Sequence, residues 1–312
     1  MARKVREYYS SPSEKFSSLG DFFTAPELDR AFGEAVAGFA APLLESFDIP
    51  RILELGAGRG ILARDILLWL RENKPDLYGS LEYLVYDISP TLVGIQKKVL
   101  RGFPVRWVDE IPVFEGVVIA NEFFDALPVH VVMKDRELYI NETGEEVWLN
   151  LDNERIREFV ERMGYGNLEQ RIEVPLDSLD FIELLARRLI KGYVLIIDYG
   201  YTSDEVVKFP EGTIMGYKKH RAVSYIISEE EMDITAHVNF SALMEYAKDA
   251  GFKVVLFDSQ RNFLSSSPVF MDTLYKLSFD ESPEGVERLS RLKTMLISMG
   301  DRFRVLMFSK GF

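Results

Sequence analysis

The sequence predicts a doubly wound α/β fold, on three observations. Short apolar runs alternate with segments of helical period through the first third of the chain. The run Gly116-Val117-Val118-Ile119-Ala120 is continuously apolar, as a parallel strand buried on both faces requires. A glycine-rich turn, ELGAGRG at residues 54–60, stands between the first strand-like piece and a helix-like one.

The elements follow in order. Residues 7–26 are rich in Tyr, Ser, Phe and Gly without helical period, and read as an ordered arm or loop. From Pro26 onward Leu28, Phe32, Val36, Phe39 and Leu43 recur at three or four, which predicts a helix with proline in its first turn. Pro50 breaks the pattern before a strand at 51–55. A helix over 61–73 is closed by Lys74-Pro75-Asp76. A strand over 81–87 ends in Asp87, and Ser89-Pro90 starts a helix as N-cap and first helical position. Strands at 105–108 and 116–120 complete the first half.

The rhythm then changes. Residues 129–151 alternate around a turn at 141–144, which predicts an antiparallel hairpin, and 153–163 form a charged helix. A helix at 178–190 and a strand at 193–197, ending at Asp198, resume the α/β pattern. Residues 200–235 read as loop-rich. A helix at 239–250 has Asn239 as cap and Gly251 just past its end. Strand-like segments at 253–257 and 302–308 flank a helix at 283–299. The expectation is one domain over 1–312, with an arm and helix at 1–50 and cap insertions at about 129–175 and 201–236. Those insertions fall at the carboxyl ends of the strands, where open α/β sheets bind ligands.

Composition narrows the chemistry. The 312 residues carry a formal charge of −13, the wrong balance for a general nucleic-acid binder. The basic run Lys218-Lys219-His220-Arg221 reads as a solvated face. With no cysteine, disulfides, thiolate metal sites and cysteine nucleophiles are excluded, and the three histidines, His130, His220 and His237, have no metal-ligand spacing. No metal is expected. The first 16 residues lack an apolar signal core, and no run approaches the roughly 18 apolar residues of a membrane span. The chain reads as cytoplasmic, without membrane contact.

The glycine turn selects among nucleotides. Gly56 allows a tight turn, Gly58 close approach of a ligand, and Gly60 packing of helix on strand. A dinucleotide site uses G-x-G-x-x-G, so that pyrophosphate reaches the helix N-terminus. Here the spacing is G-x-G-x-G, and Glu54 stands two places before the first glycine. A carboxylate there repels phosphate and welcomes a cation. S-adenosylmethionine carries an α-ammonium and a sulfonium but no phosphate, and is the favoured cofactor over NAD. Ala57 in the turn and Ile88 beside Asp87 join its candidate contacts. Asp87 is placed to accept the ribose hydroxyls, a device NAD folds share. Asp109 and Glu110 either meet the adenine amino group or are two exposed loop acids.

After the fourth strand comes Asn121-Glu122-Phe123-Phe124-Asp125-Ala126-Leu127-Pro128. Carboxylates pair with a guanidinium through charge-assisted hydrogen bonds, and aromatic faces favour cations. Asn121 is assigned to the cofactor. Glu122 and Asp125 are candidates to orient an acceptor and take up its proton. Phe123 and Phe124 either face that acceptor or belong to the core.

With these blocks the chain resembles the MidA-like family of S-adenosylmethionine-dependent methyltransferases, whose mitochondrial members help assemble respiratory complex I. The matching stretches are GDFFTAPEL (20–28), ELGAGRG (54–60), D-x-S-P (87–90), NEFFDALPVH (121–130), IDYGY (197–201), EGTIMGYKKH (211–220) and DITAHVNF (233–240). The family's late T-Q-x-x-F-L block survives only in part, as Ser259-Gln260-Arg261-Asn262-Phe263-Leu264. The resemblance implies a class I methyltransferase (Rossmann-like) fold with an inserted cap, and protein arginine methylation as the activity. It gives Thr24 and Glu27 a reading as a closure over the cofactor's amino-acid end; Glu27 equally suits a first helical turn. His237 is then either a proton shuttle or a hydrogen-bonded structural residue. Tyr199 lines the acceptor pocket, and Asp198 alternatively holds the adjoining loop.

The leading expectation is methylation of a protein side chain, arginine favoured, by in-line displacement. Two alternatives stand beside it: a small-molecule methyltransferase, and an assembly factor that binds the cofactor with little turnover.

Overall fold

The apolar runs and helical segments of the sequence form a computed structural model that describes residues 24–218, 221–223 and 233–312. Most of the predicted arm, part of the basic run with His220, and much of the 201–236 insertion lie outside the described residues. The described chain divides into two units, one of residues 24–123, 186–199 and 251–312, the other of 124–185 and 200–250.

The first unit opens with helices α1 (Ala25–Leu28) and α2 (Ala31–Leu44), strand β1 (Arg51–Leu55), and helices α3 (Ile61–Asn73) and α4 (Pro75–Ser80). Strand β2 (Glu82–Tyr86), helix α5 (Pro90–Val99), and strands β3 (Val105–Val108) and β4 (Phe114–Asn121) follow. Sequence periodicity predicts one helix from Pro26, but the chain breaks it at Asp29. Asp29 is extended, accepts the Ala31 N–H at 3.1 Å, and is held by Arg288 at 2.8 Å. Lys74 both ends α3 and precedes Pro75 of the unpredicted α4.

The second unit carries β5 (His130–Met133), β6 (Arg136–Ile140), β7 (Glu146–Asn150), helix α6 (Glu154–Arg162) and β8 (Ile172–Val174). The predicted single hairpin is two. The extra turn is Lys134-Asp135, where Lys134 takes φ 57° without the glycine or asparagine that signals such a turn. β7, β6, β5 and β8 form a four-stranded sheet. Helix α7 (Leu176–Arg188) runs into the long strand β9 (Leu189–Tyr201). Beyond it are a 3-10 turn at Ser203–Lys208 and strands β10 (Met215–Lys218), β11 (Arg221–Val223), β12 (Asp233–Thr235) and β13 (Val238–Asn239). Helix α8 (Phe240–Asp249) is capped as predicted, with Asn239 Oδ1 accepting from Ala242 N at 3.0 Å.

The first unit closes with β14 (Lys253–Ser259), helices α9 (Gln260–Ser266), α10 (Pro268–Leu277) and α11 (Pro283–Ile297), and β15 (Phe303–Lys310). Helices α9 and α10 are absent from the sequence reading. Their caps, Ser259 and Ser267, sit inside a polar Ser-rich run that resembles a loop.

The main sheet has the order β14-β15-β9-β4-β1-β2-β3. β1 lies between β4 and β2, and all three are parallel. β15 is antiparallel to β9 and β14 to β15. The strand order reverses at β1 and β4, so the switch point lies at the carboxyl ends of these strands. The core face of β1 carries Ile52, whose neighbours across the sheet are Tyr83 and Val117, under α2 and α3. This is the predicted doubly wound α/β class.

Candidate active site

β1 ends at the switch point and turns at once. Gly56 takes φ 61° and donates its N–H to the Tyr86 carbonyl at 2.9 Å. A Cβ on Gly56 would meet the Phe123 ring at 2.9 Å, so this ring is packed on the turn. Gly58 takes φ 52°, and a Cβ there would meet nothing within 4 Å. One glycine therefore serves packing and the other leaves an open side. Gly60 departs from expectation: its near neighbour is Leu100, 3.3 Å from a built Cβ, beyond the end of α5 and not on the strand. Ala57 is buried between them.

Glu54 does not project into the turn. By strand alternation it shares the core face of β1 with Ile52 and is 2% exposed. Tyr83 donates its hydroxyl to Glu54 Oε2 at 2.8 Å. Burial pushes the Glu54 carboxyl up to about 7, against the Tyr83 hydrogen bond that lowers it.

Asp87 follows β2. Its Oδ1 accepts the Ser89 N–H at 2.9 Å and its Oδ2 accepts from Gln96 Nε2 at 2.7 Å. Burial raises its pKa, and both hydrogen bonds oppose that. Sequence reasoning passed over Gln96. The available signal was a glutamine at a core position of α5, four residues after buried Leu92 and four before buried Leu100. Ile88 is 66% exposed, and Asp109 and Glu110 are exposed in the turn after β3.

Thr24 and Glu27 form the start of α1, with Thr24 N donating to Glu27 Oε2 at 3.4 Å. Glu27 Oε1 lies 3.7 Å from Arg59 Nη1, so the α1 acid reaches the glycine turn. Arg59 is the second residue the sequence reading left out. Its Nε is buried without a hydrogen-bond partner among the described residues.

At the end of β4, Asn121 Nδ2 lies 3.3 Å from Glu122 Oε1, and Asn121 Oδ1 is a buried acceptor without a partner among the described residues. Glu122 takes φ 50° while its N–H stays bonded to the Ile197 carbonyl at 2.9 Å. Tyr199 stacks edge-on against Phe303 at 5.5 Å, and its N–H donates to the fully buried Asp198.

Phe124, Asp125 and His237 belong to the second unit. Phe124 is core, edge-on to Phe181 at 6.1 Å. Asp125 is buried, and its carbonyl accepts the Ala236 N–H at 3.0 Å, which brings it beside the His237 segment. His237 donates its N–H to Thr213 Oγ1 at 2.9 Å and sets its ring against Phe209. Among the described residues no cluster of His, Asp and Glu could hold a metal ion. None of the described helices is long and apolar enough to cross a membrane.

Residues 36–257 match the family described as S-adenosyl-L-methionine-dependent methyltransferases, the MidA-like group. The chain belongs to this family. A Burkholderia thailandensis protein crystallised with S-adenosyl-homocysteine has the same fold, with TM-score 0.84 and 30% identity over 99% of this chain and 87% of that one. The mouse protein arginine methyltransferase NDUFAF7, mitochondrial, is 27% identical over 97% of this chain and 79% of its own length. Its Drosophila melanogaster homolog is 26% identical over 80% and 67%. The mouse and Drosophila relatives are mitochondrial by name, which overturns the expectation of a cytoplasmic protein. The MidA-like chain is thus a methyltransferase with S-adenosyl-L-methionine as cofactor, on a class I fold.

The residues fit that cofactor. Its α-ammonium needs an acceptor, and Asn121 Oδ1 is one without a partner among the described residues. Its carboxylate needs a donor, and Arg59 Nε is one likewise. Its ribose diol suits a carboxylate held at both oxygens, as Asp87 is.

Proposed function

We infer that this methyltransferase acts on a protein side chain, with the arginine guanidinium as acceptor. The observation that carries this reading is Glu122. It is a non-glycine residue in left-handed backbone at the carboxyl end of β4, with its carboxylate beside Asn121. Strain of this kind persists where the surrounding structure imposes a geometry, and it concentrates at functional sites. The names of the mouse and Drosophila relatives support the acceptor class.

When bound, S-adenosyl-L-methionine supplies an electrophilic methyl group on its sulfonium. Glu122 orients the guanidinium by a charge-assisted pair and takes up the proton released on methylation. Asn121 and Arg59 hold the amino-acid end, Asp87 the ribose, and Asp109 and Glu110 the adenine side. The glycine turn at Gly56, Ala57, Gly58 and Gly60 provides the backbone surface. Thr24 and Ile88 complete the cofactor contacts, and Phe123 and Tyr199 the acceptor side.

The test is incubation of the protein with methyl-labelled cofactor and a protein extract, followed by mass spectrometry. The reading expects label on arginine. Label confined to small molecules overturns the acceptor class. Glu122→Gln should bind the cofactor normally and lose about 100-fold in rate; an unchanged rate removes Glu122 from the chemistry.

A further inference from the structure

Gln96 is fully buried, and every polar atom of its amide is engaged. Nε2 donates to Asp87 Oδ2 at 2.7 Å and to the Gly58 carbonyl at 2.9 Å. Oε1 accepts from Trp107 Nε1 at 2.8 Å. An indole N–H can only donate, so Trp107 fixes which end of the amide faces Asp87. One side chain thus ties together the turn after β1, the carboxylate after β2, and strand β3.

The position itself favours a hydrocarbon. Gln96 stands between Leu92 and Leu100 on the buried face of α5, where an apolar residue would pack without desolvating an amide. A buried polar group in that setting is tolerable only when fully satisfied, and then it rigidifies what it touches. Asp87 shows the result. With Ser89 N–H on one oxygen and Gln96 on the other, the carboxylate cannot rotate, yet each oxygen keeps acceptor capacity.

We propose that Gln96 is the positioning residue of the ribose subsite. It fixes the Asp87 carboxylate relative to the Gly58 backbone, and so sets the preference for a ribose over a deoxyribose cofactor. The inference rests on the reading of Asp87 as the acceptor of the ribose hydroxyls.

Titration calorimetry with S-adenosylhomocysteine and its 2′-deoxy analogue tests it. The wild type should prefer the ribose form by about tenfold. Gln96→Met should lose about tenfold in affinity for S-adenosylhomocysteine, and the preference should shrink toward that of Asp87→Ala. The double variant should be no weaker than the worse single one, because both remove the same interaction. Trp107→Phe leaves Gln96 in place and removes the indole N–H that fixes its amide; it should lose about threefold with the same shrinkage. A Gln96→Met protein with lowered Tm but intact preference shows a merely structural role and overturns the proposal, as do additive losses or an unchanged preference in Trp107→Phe. If the wild type binds neither nucleoside, the cofactor reading itself fails. If the wild type binds and Asp87→Ala keeps the full preference, the ribose assignment fails.

Discussion

Tyr83 donates its hydroxyl to Glu54 at 2.8 Å beneath the glycine turn, and both side chains are buried. Burial, opposed by this hydrogen bond, makes Glu54 a titrating group near neutrality, with its carboxyl pushed up to about 7. A bound cation favours the ionised form and pulls that value down. Binding of the cationic cofactor should therefore release a proton. Its Kd should fall about tenfold between pH 6 and pH 8, and level off above. Tyr83→Phe removes the hydrogen bond that opposes burial, so the midpoint of the profile should move to higher pH. Calorimetry across this range checks both; a flat profile separates Glu54 from the cofactor's charge.

The same carboxyl weakens the cofactor-free fold. A group whose folded pKa is raised holds its proton more tightly when folded, so stability falls as pH rises from 4.5 to about 7 and stays reduced above. Glu54→Gln removes this penalty while keeping the shape. Its Tm should exceed that of the wild type by roughly 5 °C at pH 8, with the gap closing at pH 4.5. Paired thermal melts decide it; a gap that does not depend on pH excludes ionisation as the cause.

Two glycines of one turn should respond differently. Gly56→Ala sets a Cβ 2.9 Å from the Phe123 ring in backbone at φ 61°, and should destabilise the protein by about 2 kcal/mol. Gly58→Ala meets nothing within 4 Å and should lose only about 1 kcal/mol. On the proposed reading, in which the cofactor approaches the backbone on this open side, it should nonetheless weaken cofactor binding by more than about tenfold. Melts and titrations on both variants separate packing from ligand approach. Unchanged affinity in Gly58→Ala places the cofactor elsewhere.

The main sheet was legible because buried parallel strands write themselves as uninterrupted apolar runs, as at Val117–Ala120, and because Ser89-Pro90 and Asn239 announce their helices. The break at Asp29 was not legible. It depends on Arg288, 259 positions away, and no local pattern carries such a pair. Helices α9 and α10 hid in a Ser-rich stretch, since serine caps and serine loops look alike in sequence. Within the site, Glu54 and Asp87 stood out as acids at strand ends. Their states did not, because burial and the partners Tyr83 and Gln96 set them, and these come from other elements.

Glu122 and Lys134 are the two non-glycine residues in left-handed backbone among the described residues, and they make a controlled comparison. Lys134 sits in a two-residue turn and pairs at the surface with Glu169, an exposed contact of little energetic weight. Lys134→Gly should relieve about 1 kcal/mol of backbone strain, raise Tm by roughly 1–2 °C, and leave the methylation rate unchanged. Glu122→Gly should relieve similar strain and raise Tm likewise, but lose about 100-fold in rate, because the carboxylate proposed to orient the acceptor goes with it. Glu122→Gln separates the two effects. It keeps the strain and loses the charge, so its Tm should match the wild type while its rate falls with that of Glu122→Gly. If Glu122→Gly gains stability and keeps full activity, the strain at the end of β4 has no part in the reaction, and the acceptor must be held by other residues.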